Sequence, residues 1–225
     1  NYFHPSYNLK TNKKKNTTHA NFFNFVNVVK NKSLSASEWK NEIEKVLDVE
    51  TFIKYESIAF LLGNFDDMRN NGNNYYLYFT SGENPKAFII PYDFDRCLGA
   101  GCEGRKDYMT SYSAESTKMQ CNGEWQANNL FWRICCTSTD SGSGHSTIER
   151  VEDYRLQYQH NIEALLNNGV ISNETFQNYV NSFPEEYRGN PNGAGEGNTT
   201  FANYLSLKIN SIKTDAYTNG YNIRV

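Results

Sequence analysis

The chain has 225 residues, a formal net charge of −3 and 15% aromatic residues. The small net charge argues against general nucleic-acid binding, and no stretch approaches the ~20 apolar residues that a membrane-spanning helix needs. The length suits one large domain or two small ones, and the aromatic content is ample for a hydrophobic core. We expect a single domain over residues 1–225, with no nucleic-acid partner and no membrane span.

The first third of the chain has the periodicity of helices. Residues 20–32 form one predicted helix, and Ser35 or Ser37 can cap a second helix that begins near Glu38. Asp48 can cap a third helix, which ends at Gly63 and Asn64, a common helix stop. The predicted apolar face of this third helix consists of Phe52, Ile53, Ile58, Ala59, Leu61 and Leu62.

The period then changes from that of a helix to that of a strand. Tyr75–Phe79 and Lys86–Tyr92 read as two strands joined by the turn sequence TSGENP. Two strands so placed predict a small antiparallel ribbon on an otherwise helical body.

The segment from about 124 to 225 is predicted to be a helical tail. We expect a helix near Glu124–Cys136 with Trp125 and Trp132 on one face, and a long helix over residues 146–169. A further helix is expected to start at Ser172, and a last one to cover Phe201–Thr214. The expected core positions of the long helix are Tyr154, Tyr158, Leu165 and Leu166. The fold class is therefore mainly α with one small antiparallel β-ribbon, that is, α+β.

The cysteines lie in the middle of the chain, and neither they nor the scattered histidines have the spacing of a zinc site. A disulfide from Cys97 or Cys102 to Cys121 is one possibility for a secreted protein, and reduced structural thiols are the other. The five cysteines are Cys97, Cys102, Cys121, Cys135 and Cys136.

Carboxylates and amides cluster at the two entrances of the ribbon. In an antiparallel pair the start of the first strand lies beside the end of the second, so one group can face the other. The first group is Asp66, Asp67, Asn71, Asn73 and Asn74, and the second is Asp93 and Asp95. Strand alternation places Asp93 and Asp95 on one face and Phe94 on the other.

Several like charges held together are costly unless a cation neutralises them, and hard oxygen donors suit Mg²⁺ or Mn²⁺ better than zinc. This chemistry favours phosphoryl transfer, in which one Asp positions the hydroxyl while an Asn and a second Asp hold metal on the phosphates. The alternative is structural: Asp66 and Asp67 cap a loop, and Asp93 and Asp95 pair with Arg69 or Arg96.

The motifs that carry this chemistry also carry a family resemblance. YNLKTN, the helix ending in GNFDD, NNYYLY and IIPYDFDRCLG occur in this order between Tyr7 and Gly99. In this order they resemble the spore coat protein H (CotH) kinase family, and residues about 7–99 form the motif-bearing part. The resemblance implies a protein-kinase-like C-terminal lobe.

By this resemblance, Asp66 is the catalytic-loop Asp, Asn74 the metal-holding Asn and Asp93 the metal-binding Asp of the Asp-Phe-Gly element. Asp95 is then a second metal ligand or the partner of an Arg. Asn71 is a rival for Asn74 because of its spacing from Asp66, and Asp67 is a rival for Asp66.

The resemblance implies an atypical protein kinase that uses ATP with Mg²⁺ or Mn²⁺ and phosphorylates Ser or Thr of a protein substrate. No G-x-G-x-x-G sequence lies ahead of the predicted catalytic Asp66, where a kinase has its phosphate-binding loop. We therefore expect a C-terminal lobe without its N-terminal lobe, a fragment inactive by itself. A bacterial cell-surface, secreted or spore-coat location is favoured. The alternatives are a non-catalytic surface or spore-coat binding module on the same fold, and a metal-dependent hydrolase.

Overall fold

The computed structural model describes residues 7–13, 18–64, 67–69, 72–95, 97–98, 118–121, 124–127, 129–135, 148–188 and 201–214. Within these ranges the chain is mostly helical, with two small antiparallel sheets, which confirms the α+β class. No helix in the described ranges has the length and apolar character to span a membrane. The elements in chain order are α1 Ala20–Lys30, α2 Ala36–Val46, α3 Val49–Leu62, β1 Tyr75–Phe79, β2 Ala87–Pro91, β3 Lys118–Cys121, β4 Glu124–Ala127, α4 Asn129–Ile134, α5 Glu152–Asn167, α6 Asn173–Asn181, a 3-10 turn Glu185–Tyr187 and α7 Phe201–Thr214.

Side-chain caps set the starts of α2 and α3. Ser35, one of the two predicted caps, forms a reciprocal capping box with Glu38, so α2 begins at Ala36 rather than near Glu38. Asp48 Oδ1 accepts a hydrogen bond from the backbone N–H of Thr51 (3.0 Å) and caps α3 as predicted. These caps satisfy backbone donors that a helix start otherwise leaves without partners.

Helix α3 is the centre of the core and is buried on most of its circumference. Phe52, Ile53, Ala59 and Leu61 are buried as predicted, whereas Ile58 is 39% exposed. The expectation for Ile58 was wrong because α3 exposes only a narrow strip, and Ile58 falls on it. The helix stops at Gly63, which has φ 63° and so takes the left-handed conformation that favours glycine.

Strands β1 and β2 form the predicted antiparallel ribbon, with Tyr75 opposite Pro91 at one end and Phe79 opposite Ala87 at the other. Its inner face packs on the core through Ala87 and Ile89, which are buried. The backbone N–H of Asp48 donates to the carbonyl of Ala87 (3.0 Å) and ties β2 to the start of α3. The ribbon is therefore fixed to the helical body next to its hairpin turn.

The region around residues 118–135 differs from the sequence prediction. Glu124–Ala127 is a strand paired with Lys118–Cys121, and only Asn129–Ile134 is helical, so Trp125 and Trp132 do not share a helical face. The helical periodicity of residues 124–136 was misleading because the pairing with β3 depends on residues outside that window. The buried positions Leu130, Phe131, Ile134 and Cys135 agree with the prediction.

The long tail helix also begins later than predicted, at Glu152 instead of residue 146. The preceding segment is held in extended form against α4: Trp132 Nε1 donates to the carbonyl of Ile148 (2.9 Å), and Val151 N donates to the carbonyl of Arg133 (2.8 Å). Tyr154 and Tyr158 are buried core residues, as expected.

The last two helices match the predictions in position. Ser172 caps α6 by accepting a hydrogen bond from the backbone N–H of Thr175 (3.1 Å). Helix α7 closes the end of α3, where the buried hydroxyl of Tyr204 donates to the carbonyl of Leu61 (2.9 Å). The tail therefore supports the helix that precedes the ribbon.

Of the cysteines considered for a disulfide, Cys97 is present as a thiol, so a Cys97–Cys121 bridge is not formed. Cys135 is also a thiol and is buried. Cys102 lies outside the described residues, so pairing from that position stays a prediction.

Candidate functional site

The register of the ribbon brings its two polar entrances together. Tyr75 and Pro91 are the outermost paired residues, and Tyr92 N donates to the carbonyl of Asn74 (3.2 Å) just beyond them. Asp93 follows Tyr92 in the chain. Asn74 and Asp93 thus lie at the same end of the ribbon, as the sequence predicted.

Both residues have unusual backbone conformations. Asn74 has φ 54° and Asp93 has φ 57°, so each lies in the left-handed region, which Asn and Asp tolerate better than most residues do. Such conformations have an energetic cost and cluster at functional sites. One of these residues precedes β1 and the other follows β2, at the same end of the ribbon, and this marks that end as a candidate site.

The segment after β2 sends its two carboxylates to solvent and its aromatic ring inward. Asp93 and Asp95 are exposed, whereas Phe94 is half-buried, with its ring centroid 6.3 Å from that of Tyr55. The predicted separation is present, but its cause is different. Asp93 leaves the strand in a left-handed conformation, so the separation does not come from strand alternation.

Asp67 has a structural role in the loop between α3 and β1. Its side chain is fully buried, and Oδ1 accepts a hydrogen bond from the backbone N–H of Arg69 (3.0 Å). Its carbonyl accepts from the backbone N–H of Asn73 (3.1 Å). Asp67 is therefore a loop cap, which was one of its two predicted roles.

A buried charged cluster lies beneath this loop. Glu56 of α3 and Arg69 are both fully buried, with Arg69 Nη1 3.7 Å from Glu56 Oε2. Burial, reinforced by the nearby Asp67 carboxylate, raises the pKa of Glu56 well above its usual range, while the Arg69 guanidinium opposes the shift. The alternative pairing of Asp93 or Asp95 with Arg69 is not what the structure shows, because Arg69 points into the core with Glu56.

The sequence prediction overlooked Glu56. Glu56 lies four residues after Phe52, three after Ile53 and four before Phe60, which places it on the same helical face as these three buried residues. A lone acid inside an apolar stripe signals a buried, paired charge. That signal was present in the sequence.

A cavity of about 690 Å³ opens beside the candidate site. It lies between the segment that begins at Tyr7, the start of α1 and the strand β1, and it reaches Asn73 and Asn74. Its floor is aromatic at Tyr75, whose hydroxyl contacts that of Tyr7. Aromatic walls with a few amides are typical of small-molecule sites, and so is this size.

The donors at the ribbon end have the chemistry of a Mg²⁺ or Mn²⁺ site. Asn74 supplies an amide oxygen, and Asp93 and Asp95 supply exposed carboxylates. Mg²⁺ usually takes one or two protein carboxylates and completes its shell with water and phosphate oxygens, so these are donors of the kind that it uses. In the described part of the chain, no cluster of three or more His, Cys, Asp or Glu side chains could bind a metal ion.

Three residues of the predicted site lie outside the described residues. They are Asp66, the predicted catalytic residue, Asn71, the rival of Asn74, and Arg96, a predicted partner of the acids. Their roles stay predictions from the sequence resemblance.

Comparison with known proteins gives a family. Residues 2–219 match the family model described as CotH kinase protein. The match includes the helical tail after residue 99, beyond the sequence motifs that suggested the resemblance. Searches of curated proteins and of solved structures found no match, so the kinase-like lobe stays a prediction.

Proposed function

The chain belongs to the CotH kinase family, and on that premise we propose that the protein is an atypical protein kinase that transfers phosphate from ATP to Ser or Thr hydroxyls of a protein substrate. The observation that supports this most directly is the meeting of Asn74 and Asp93 at one ribbon end, each with a left-handed backbone. An amide and a carboxylate at one end of the ribbon are the two residue types that hold Mg²⁺ in protein kinases, which supports the proposal.

In this proposal Asn74 and Asp93 hold Mg²⁺ or Mn²⁺, with Asp95 as the further ligand. A cation held there would neutralise negative charge on the phosphates of ATP. Asp66 orients the attacking hydroxyl of the substrate. Asp67, which is buried and hydrogen-bonded to the loop, serves as the support of that segment rather than as its base.

The cavity beside Asn74 is the proposed place of the nucleotide. Its volume of about 690 Å³ suits a ligand of this size, and its wall at Tyr75 offers an aromatic surface. Because Asn74 lies on its lining, a nucleotide bound there would bring its phosphates toward the ribbon end.

The proposal is tested with the full-length protein, ATP and either Mn²⁺ or Mg²⁺, by measuring phosphate transfer to protein. Loss of groups that merely support metal ligands costs 10–100-fold, so Asp93→Ala should lower kcat/KM by at least about 100-fold. Glu83→Ala is the matched control, because Glu83 is an exposed acid at the opposite end of the same ribbon. It should leave activity unchanged.

Two outcomes would contradict the proposal. If Asp93→Ala keeps full activity, the metal role of Asp93 is wrong. If the wild-type protein transfers no phosphate to protein but releases it from ATP, a hydrolase is the better description.

A second candidate function is a non-catalytic binding module. The outer face of the ribbon exposes Tyr76, Tyr78, Ile90 and Tyr92, with the rings of Tyr76 and Tyr92 in contact at 5.2 Å. Exposed aromatic surfaces of this kind often mark binding sites. The full-length protein would then bind a protein or glycan tightly and show no change in melting temperature with nucleotide.

A further inference from the structure

Arg69 lies where three helices and the loop before the ribbon meet. Its guanidinium is fully buried, forms the ion pair with Glu56 of α3 (3.7 Å) and donates a long hydrogen bond to the hydroxyl of Tyr158 in α5 (3.5 Å). It also stacks over the ring of Phe131 in α4, 5.5 Å from the centroid. One side chain therefore contacts three helices.

The backbone of the same residue leads to the candidate site through a series of hydrogen bonds. Arg69 N donates to Asp67 Oδ1 (3.0 Å), and the Asp67 carbonyl accepts from Asn73 N (3.1 Å). Asn74 follows, and its carbonyl accepts from Tyr92 N (3.2 Å), next to Asp93. The position of the ribbon end is thus connected step by step to the buried guanidinium.

A buried ion pair is a poor way to gain stability alone. Desolvation of two charges offsets much of their attraction, and apolar replacements of similar volume are often as stable or more so. What a guanidinium adds over an apolar side chain is a rigid fork with several donors that hold their partners in one geometry. Here those partners lie on α3 and α5, and the residue itself belongs to the loop.

We propose that Arg69, held by Glu56, is a positioning residue that fixes the loop between α3 and β1 and thereby places Asn74 and Asp93 for metal binding and phosphoryl transfer. The proposal rests on the proposed kinase function. It assigns to the buried pair a role in activity that is separable from its role in stability.

The test compares single and double apolar replacements in the full-length protein. Arg69→Met leaves the buried carboxyl groups of Glu56 and Asp67 without the guanidinium, and Glu56→Met leaves the guanidinium without the Glu56 carboxyl group, so each should lower the melting temperature. The double variant removes the Glu56–Arg69 pair but leaves the Asp67 carboxyl buried, so it should recover part of the lost melting temperature. Its kcat for phosphate transfer should nevertheless stay at least 10-fold below wild type, because the loop is no longer held.

A second readout does not depend on activity. Mn²⁺ affinity, measured by electron paramagnetic resonance with a non-hydrolysable ATP analogue, should fall about 10-fold in the double variant, as is typical when support of metal ligands is lost. Arg69→Lys keeps the charge but not the planar fork of the guanidinium. Its melting temperature should be close to that of wild type, whereas its Mn²⁺ affinity should be as low as that of the double variant.

Arg133→Met is the matched control. Arg133 is also fully buried, but its guanidinium donates to the backbone carbonyls of Leu34 (2.9 Å) and Glu149 (3.1 Å), away from the ribbon. This variant should lower the melting temperature while the folded protein keeps wild-type kcat and Mn²⁺ affinity.

The outcomes separate the two proposals. If the double variant recovers both stability and kcat, or if it does not fold, the pair is only structural and the positioning role is overturned. If wild-type protein binds Mn²⁺ with nucleotide but transfers no phosphate, the kinase proposal fails, while the Mn²⁺ affinities still decide whether Arg69 positions the ligands.

Discussion

Gly63→Ala should destabilise the protein through two separate effects at the end of α3. Gly63 has φ 63°, a conformation that costs a residue with a side chain about 1–2 kcal/mol. The added Cβ would lie 2.3 Å from the hydroxyl oxygen of Tyr204, so that ring must move. The buried hydrogen bond from the Tyr204 hydroxyl to the Leu61 carbonyl is then lost, which should lower the free energy of unfolding by about 1–3 kcal/mol.

The total expected loss in the free energy of unfolding is about 2–5 kcal/mol, or a fall of roughly 4–20 °C in melting temperature for a domain of this size. Thermal and urea unfolding followed by circular dichroism measure it. Gly169→Ala is the matched control: Gly169 has φ 70° just after α5, but an added Cβ would meet nothing nearer than Ser172 Oγ at 4.0 Å. That variant should lose only the backbone contribution of about 1–2 kcal/mol.

Equal losses for Gly63→Ala and Gly169→Ala would refute the assigned collision with Tyr204. A double-mutant cycle tests independently whether the side chain added by Gly63→Ala displaces the ring of Tyr204. Tyr204→Phe should cost clearly less in the Gly63→Ala background than in wild type, because the hydrogen bond has already been lost there. Additive costs would show that the ring does not move.

The two helix caps give the remaining predictions. Asp48→Ala removes the acceptor for Thr51 N and should lower the free energy of unfolding by about 1 kcal/mol, measured by urea unfolding; a loss near zero would mean that water replaces the cap. In the Ser35 capping box, hydrogen bonds from the Ser35 side chain and backbone lower the pKa of Glu38 below its ordinary 4.5. A carboxyl group whose pKa is lowered in the folded state stabilises the protein when the pH is above the ordinary pKa. That stabilisation is lost as the pH falls through the lowered pKa of the folded state. The melting-temperature gap between wild type and Ser35→Ala should therefore be larger at pH 6.5 than at pH 3, and a constant gap would contradict this assignment.

Local signals made much of the framework predictable. Ser35, Asp48 and Ser172 are caps whose chemistry acts within three residues, so short sequence windows contain the whole interaction. The ribbon was predictable because its strands are neighbours in the chain and its pattern alternates. The antiparallel pairing of two neighbouring strands places the start of β1 beside the end of β2, so Asn74 and Asp93 were expected at the same end of the ribbon.

Long-range partners account for the failures. Glu124–Ala127 became a strand because Lys118–Cys121 pairs with it, which no helical periodicity within 124–136 reveals. The acid in the apolar stripe of α3 was visible in the sequence, but its partner was not, because Arg69 comes from beyond the end of the helix. The left-handed turn at Asp93 was likewise invisible to a period-two pattern, although Asp is among the residues that tolerate it.

The attachment of the ribbon at both ends separates its hairpin turn from the candidate site. One end is held to the start of α3 through Ala87, and the other through the contacts of Asn73 and Asn74. The hairpin turn at residues 81–84, beyond the Ala87 end, is exposed, and a Cβ added at Gly82 would meet no atom within 4 Å. Doubling the length of such a loop costs only about 0.6 kcal/mol in closure entropy. The turn is therefore the natural attachment point for a fluorophore or an epitope, and related chains can vary there in length without disturbing the acids at the far end.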